Sequence, residues 1–166
     1  MKAYLANALF SEADQMYNTY LAQTIRQALP KIDLYNPMEN EQLNDKQNYA
    51  DSVMIFNGDN EYLDNSALLI AVLDGPVVDD GVAAEIGRFA LLCEQNPNQR
   101  EIVALYTDVR QQGRDNQQKI GALLADSTEN QFIYRNLYVI GGTKKVGKIF
   151  ATSKDLVAYL QQQYGN

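Results

Sequence analysis

Ala67-Leu68-Leu69-Ile70-Ala71-Val72-Leu73-Asp74-Gly75-Pro76 is the stretch that decides the fold. A strand with one wet face alternates apolar and polar residues, whereas residues 67–73 are apolar without a break. Such a run predicts a strand buried on both faces, as in the middle of a parallel sheet covered by helices above and below. Asp74-Gly75-Pro76 then ends it with turn residues. Downstream, Val82, Ile86, Phe89, Ala90 and Cys93 recur at helical spacing, and residues 102–106 read as the next strand. The polar, Gln- and Arg-rich segment 107–119 reads as a loop leading into a helix through Ala125. Beyond it, residues 131–140 read as a last strand or extended segment, 141–147 as a glycine-lysine turn, and 153–164 as a final helix capped by Ser153.

Upstream, residues 2–5 read as a short first strand. Ser11 with Asp14 three residues on resembles a capping pair before an amphipathic helix over 16–29, which Pro30 closes. A strand over 31–34, a polar loop over 36–44 and a helix from about 46 to 56 follow, with Asn57-Gly58-Asp59-Asn60 as a turn or helix end. Strands and helices alternate throughout. The expectation is an α/β, doubly wound, flavodoxin-like parallel sheet of about five strands with helices on both faces. Residues 1–166 form a single domain in this reading, with no repeat or linker.

Composition narrows the function. A chain of 166 residues that is 46% hydrophobic is long enough for one real core. Its 14 Lys and Arg against 21 Asp and Glu leave a formal charge of -7, which argues against nucleic acid or an anionic membrane as partner. A small neutral or cationic ligand suits it better. No apolar run approaches the roughly 20 residues a bilayer span needs, and the opening MKAYLANALF enters a strand pattern directly, so a cytoplasmic location is expected. The single Cys93 excludes an internal disulfide and a cysteine-rich zinc site. Histidine is absent, which removes Ser-His-Asp and Cys-His nucleophile activation and histidine metal sites. Acid-base chemistry therefore falls to carboxylates, Tyr or Lys.

In a doubly wound sheet the ligand lies beyond the carboxyl ends of the strands, here after Leu5, Leu73 and Tyr106. The segment Asp79-Asp80-Gly81-Val82-Ala83-Ala84-Glu85-Ile86-Gly87 runs from the most buried strand into a helix. Asp79 or Asp80 would cap that helix, for which capping alone, at about 1 kcal/mol, is sufficient reason. Glu85 falls about one turn in, at the edge of the apolar stripe, where a carboxylate is partly desolvated. Gly81, Ala83, Ala84 and Gly87 leave space for a flat or ring-shaped ligand. The alternative is an ion pair between Glu85 and Arg88, three residues on.

Asp79, Gly81, Glu85 and Gly87, as Asp-x-Gly-x-x-x-Glu-x-Gly after a buried strand, resemble the central motif of the nucleoside 2-deoxyribosyltransferases. Asp59 stands where that family has an earlier aspartate, Tyr4-Leu5-Ala6-Asn7-Ala8-Leu9-Phe10 resembles its first strand and loop, and Asn136-Leu137 fits its late Asn-Leu pair. The likeness runs from residue 2 to about 160, and departs at Ala6-Asn7-Ala8, where the family usually has a glycine, and at Tyr138, often Met there. The resemblance implies that Glu85 is the catalytic nucleophile, oriented by Tyr4, and that Asp59 protonates the leaving base. It implies that Asp79 and Asn136 hold the sugar 5′-hydroxyl, with Asn7, Phe10 and Gly81 also lining the substrate site. It further implies a deoxynucleoside and a nucleobase as substrates, no metal or organic cofactor, and a homodimer or higher homo-oligomer in which Asn136 reaches a neighbour's site. No phosphate-binding loop stands in the sequence, which favours a nucleoside over a nucleotide, although Arg110 and Arg114 could meet a 5′-phosphate. Two other readings stay open: a deoxynucleoside or deoxynucleotide N-glycosidase, and a non-catalytic nucleotide-binding module on the same fold.

Overall fold

The computed structural model describes residues 1–44, 49–132 and 135–165. Five parallel strands, β1 (Lys2–Ala6), β2 (Asp33–Tyr35), β3 (Leu68–Val72), β4 (Glu101–Leu105) and β5 (Gly147–Phe150), form one sheet in the order β2-β1-β3-β4-β5. The expected doubly wound sheet is thus present. Among the described residues seven α-helices surround it: α1 (Glu12–Ala28), α2 (Glu41–Asn44), α3 (Ser52–Asp64), α4 (Asp80–Gln95), α5 (Asn116–Ala125), α6 (Leu137–Val146) and α7 (Ser153–Tyr164). All of β3 is buried, because its alternate side chains enter two different cores. Leu68, Ile70 and Val72 pack with Leu21 and Ile25 of α1 and Leu156 and Leu160 of α7. Leu69 and Ala71 face the other way, with Leu63 of α3, Ile86 and Phe89 of α4 and Val139 of α6. Each fully buried Leu, Ile or Phe contributes about 1.5–3 kcal/mol, so the run 67–73 anchors both layers. The pleat also sends Tyr4 and Ala6 of β1 into the second layer, which carries the candidate chemistry.

Helix α1 begins as its sequence predicts, with Ser11 and Asp14 in a reciprocal capping box. Four expectations need correction. Asn57 to Asn60 do not end a helix; they lie inside α3, which Asp51 starts by accepting from the Val53 and Met54 amides. Gly58 is tolerated there because a Cβ would come within 2.9 Å of Leu43 Cδ1, so α2 packs where a side chain would stand. Residues 46–48 of the helix expected over 46–56 lie outside the described residues, as do Ile133 and Tyr134 of the expected last strand. That strand is not found over the rest of its span, since Asn136 caps α6 and helix continues through the expected glycine turn. Val139 and Thr143, one turn apart, are buried against the core, and this packing outweighs the cost of about 1 kcal/mol for each of Gly141 and Gly142. The last strand is instead β5, and Thr152 rather than Ser153 caps α7.

Gly147, which opens β5, has an extended backbone that any residue adopts, yet a Cβ there would collide with the Ile102 carbonyl of β4. Because the obstacle is backbone in a paired strand, it cannot swing aside. Gly147→Ala should therefore cost about 3 kcal/mol, read as a lowered denaturant midpoint, whereas Gly87→Ala, with nothing within 4 Å of its Cβ, should not lower it.

Candidate active site

In the middle of β1, Tyr4 is fully buried and donates its hydroxyl proton to Glu85 Oε1 at 2.5 Å. Glu85 reaches it from the second turn of α4, whose buried stripe Val82, Ile86, Phe89 and Cys93 sets the helix against the sheet. Asp79 caps this helix by accepting from the Val82 amide at 3.0 Å, and Asp80 Oδ1 accepts from the Gly81 amide at 2.9 Å. A Cβ on Gly81 would lie 3.1 Å from Asp79 Oδ1, so glycine keeps the space beside that carboxylate open. Arg88 does not pair with Glu85. It forms two hydrogen bonds with Asp64, at 2.7 and 2.6 Å, and lies over the Phe56 ring.

Tyr35 at the end of β2 stands in register with Tyr4, their rings 5.3 Å apart, and is stacked on Tyr62 at 3.8 Å. Its hydroxyl donates to Asp59 Oδ1 at 2.9 Å and accepts from Asn40 Nδ2 at 2.9 Å. Two carboxylates thus stand beside one tyrosine pair. Burial pushes the Glu85 carboxyl up to about 7; the charges of Asp59 and Asp79 push the same way, and the Tyr4 hydrogen bond opposes them. Asp59 is raised by burial too, against the opposing Tyr35 hydrogen bond. Tyr4 is raised far above an ordinary phenol by burial and by the charges of Glu85 and Asp59, so it remains a donor. A carboxyl poised near neutrality beside a second, partly desolvated carboxyl is suited to nucleophilic attack coupled to proton transfer.

The remaining expected residues make no hydrogen bond to this centre. Asn7 donates to Asn18 Oδ1 at 2.9 Å, and buried Asn18 in turn donates to the Ala8 carbonyl, which braces the loop after β1. Asn7 is not among the positive-φ residues, so this loop does without the glycine geometry. Phe10 is exposed and lines a groove of about 880 Å³ with Met16, Tyr20 and Met38 on the outer side of α1. Asn136 Oδ1 accepts from the Tyr138 and Val139 amides at the start of α6 and has no hydrogen bond to Glu85, Asp59 or Asp79 of its own chain. Its neighbour Arg135 donates to the Gly75 carbonyl at 2.9 Å and lies over Tyr106, which holds this segment to the ends of β3 and β4. Arg110 is paired with Asp108 on the surface. Among the described residues no cluster of His, Cys, Asp or Glu is arranged to hold a metal ion, and no helix is long and apolar enough to cross a membrane.

Sequence reading missed Tyr35, Asn40 and Asn18. Tyr35 was one residue from legible: had the strand over 31–34 been extended by one position, its tyrosine would have stood at the carboxyl end of that strand, beside Tyr4.

Similarity to known proteins bears on this arrangement. The chain has 47% sequence identity to a conserved protein from Enterococcus faecalis V583, with a TM-score of 0.86 and 98% of each chain covered. It resembles the 2-deoxyribosyltransferase from Bacillus psychrosaccharolyticus in fold, at 19% identity and a TM-score of 0.62, over 96% of this chain and 92% of that one. A 2-desoxiribosyltransferase from Leishmania mexicana has 22% identity and a TM-score of 0.60, with 98% of each chain covered. The sequence model of the nucleoside 2-deoxyribosyltransferases matches residues 3–136, which include Tyr4, Asp59, Asp79, Glu85 and Asn136. The chain belongs to the nucleoside 2-deoxyribosyltransferase family.

Proposed function

We propose that this protein transfers the 2-deoxyribosyl group between nucleobases through a covalent intermediate on Glu85. The observation that carries this reading is the 2.5 Å hydrogen bond from Tyr4 to Glu85 Oε1. It commits one carboxylate oxygen and leaves Oε2 to attack C1′ of a bound 2′-deoxynucleoside. As the Oε2–C1′ bond forms, the electron pair of the C1′–N bond passes to the base, and Asp59 gives that base its proton. A second base then attacks C1′, returns its proton to Asp59 and displaces Glu85, with net retention by the logic of retaining glycosidases. Asp79 and the Asn136 of a second copy hold the 5′-hydroxyl. Gly81 provides room beside Asp79, while Asn7 and Phe10 line the substrate site from the loop after β1.

Incubation with deoxyinosine and adenine tests the activity, with deoxycytidine and thymine as the pyrimidine pair. Formation of the new deoxynucleoside supports transfer. Free deoxyribose, with no exchange, identifies an N-glycosidase on the same site, and binding without turnover of any nucleoside identifies a ligand-binding module.

The pH dependence follows from the two carboxyls. Attack requires ionised Glu85, so with 7-methyl-2′-deoxyguanosine, whose base leaves without needing a proton, activity should rise through about pH 7. Tyr4→Phe removes a hydrogen bond that favours the ionised form, which should move this acid limb to higher pH. Asp59→Asn removes a neighbouring negative charge and should move it lower. Rate profiles of both variants check the opposite signs, and movement in the same direction contradicts the assignment.

A further inference from the structure

The geometry points to Tyr35 as a positioning residue that, backed by Asn40, decides which oxygen of Asp59 hands its proton to the leaving base. This deepens the proposed function and rests on Asp59 being the acid. Asn40 Oδ1 accepts from the Gln42 and Leu43 amides at 3.1 and 3.3 Å, which fixes the amide orientation and makes Nδ2 its donor end. Nδ2 donates to the Tyr35 hydroxyl oxygen at 2.9 Å. The one proton of that hydroxyl is then left to donate to Asp59 Oδ1, also at 2.9 Å. Oδ1 is thereby held as an acceptor, and the Asp59 proton is carried on Oδ2, which has no hydrogen-bond partner among the described residues.

Packing holds this chain of donors in one arrangement. Tyr35 is in register with Tyr4 across β1 and β2 and clamped against Tyr62, with ring planes 7° apart. A phenol wedged in this way cannot rotate to follow a wandering carboxyl. During cleavage Oδ2–H passes its proton to the base nitrogen or oxygen that gains the C1′–N electron pair, and Asp59 is left as a carboxylate whose Oδ1 still accepts from Tyr35. In the second half the incoming base returns a proton to Oδ2. Nothing is consumed over the cycle.

The test is single-turnover release of the leaving base, comparing one base that needs a proton with one that does not: deoxyinosine against 7-methyl-2′-deoxyguanosine, or deoxyuridine against 5-trifluoromethyl-2′-deoxyuridine if the protein takes pyrimidines. Tyr35→Phe should slow the first of each pair about tenfold and leave the second near wild type. Its alkaline limb should move to higher pH, because the lost hydrogen bond had favoured ionised Asp59. Asn40→Asp, which still accepts from the two amides but competes for the Tyr35 proton, should show the same selectivity and serves if Tyr35→Phe does not fold. Equal slowing of both substrates, or no slowing, overturns the positioning proposal when Asp59→Asn remains selective for the base needing a proton. If Asp59→Asn is itself unselective, the acid assignment falls and the proposal falls with it.

Discussion

Glu85→Gln should lower transfer by about a thousandfold or more, because an amide cannot serve as the anionic nucleophile, and the same change should make the folded protein more stable above neutral pH. The second effect follows from linkage. The Glu85 carboxyl titrates near 4.5 in the unfolded chain and near 7 in the folded one, chiefly through burial. A raised carboxyl pKa means that the folded state favours the protonated form, so stability falls as pH climbs from about 4.5 to about 7 and then levels off. Gln resembles the protonated group at every pH and still accepts the Tyr4 hydroxyl. The variant should therefore gain up to about 3 kcal/mol at pH 8 and nothing near pH 4. Urea midpoints at the two pH values measure the gain. A pH-independent gain would mean that Gln merely packs better, and retained transfer of more than a few per cent would remove Glu85 from the nucleophile position. The destabilised carboxylate is the expected signature of a side chain kept for chemistry at the expense of stability.

What the sequence made legible depended on whether the deciding interaction was local. The run 67–73 announces a doubly covered strand from its own residues, and β3 is buried throughout. Ser11 and Asp14 form their capping box within four residues. Glu85 was visible because helical spacing alone puts it on the stripe edge, but its partner was not, since Arg88 three residues away pairs with Asp64 and Tyr4 lies 81 residues away. Where tertiary packing overrides local preference, sequence reading went astray. Asn57-Gly58 looks like a turn until Leu43 is seen against Gly58, and Gly141-Gly142 looks like one until α6 is seen with Val139 and Thr143 buried. The error over α6 also hid β5, whose four residues carry too short a pattern to be read without the sheet beside them. Of the candidate site, the motif on α4 was readable from local order; the Tyr35, Asp59 and Asn40 network depends on contacts across β2, α3 and the intervening loop.

Mixing two inactive variants should restore activity if the site is completed by a second copy. Asn136 caps α6 and makes no hydrogen bond to Glu85 of its own chain. The next two residues, Leu137 and Tyr138, are 82% and 87% exposed. They border a groove of about 660 Å³ between α4 and α6 that also includes Ala83 and Gly87, on either side of Glu85 in sequence. A two-fold partner presents the same surface twice, and covering these apolar side chains would carry each Asn136 toward the helix that bears the other copy's Glu85. Glu85→Ala and Asn136→Ala should each be inactive alone; the second also loses a helix cap worth about 1 kcal/mol, so its thermal midpoint must be checked before mixing. Co-refolding equal amounts gives heterodimers in about half of all pairs, each with one intact site built from the Glu85 of one variant and the Asn136 of the other, so activity should recover to about a quarter of wild type. If mass spectrometry finds the heterodimers and activity does not return, Asn136 acts within its own chain or outside the site, and the shared-site assignment fails.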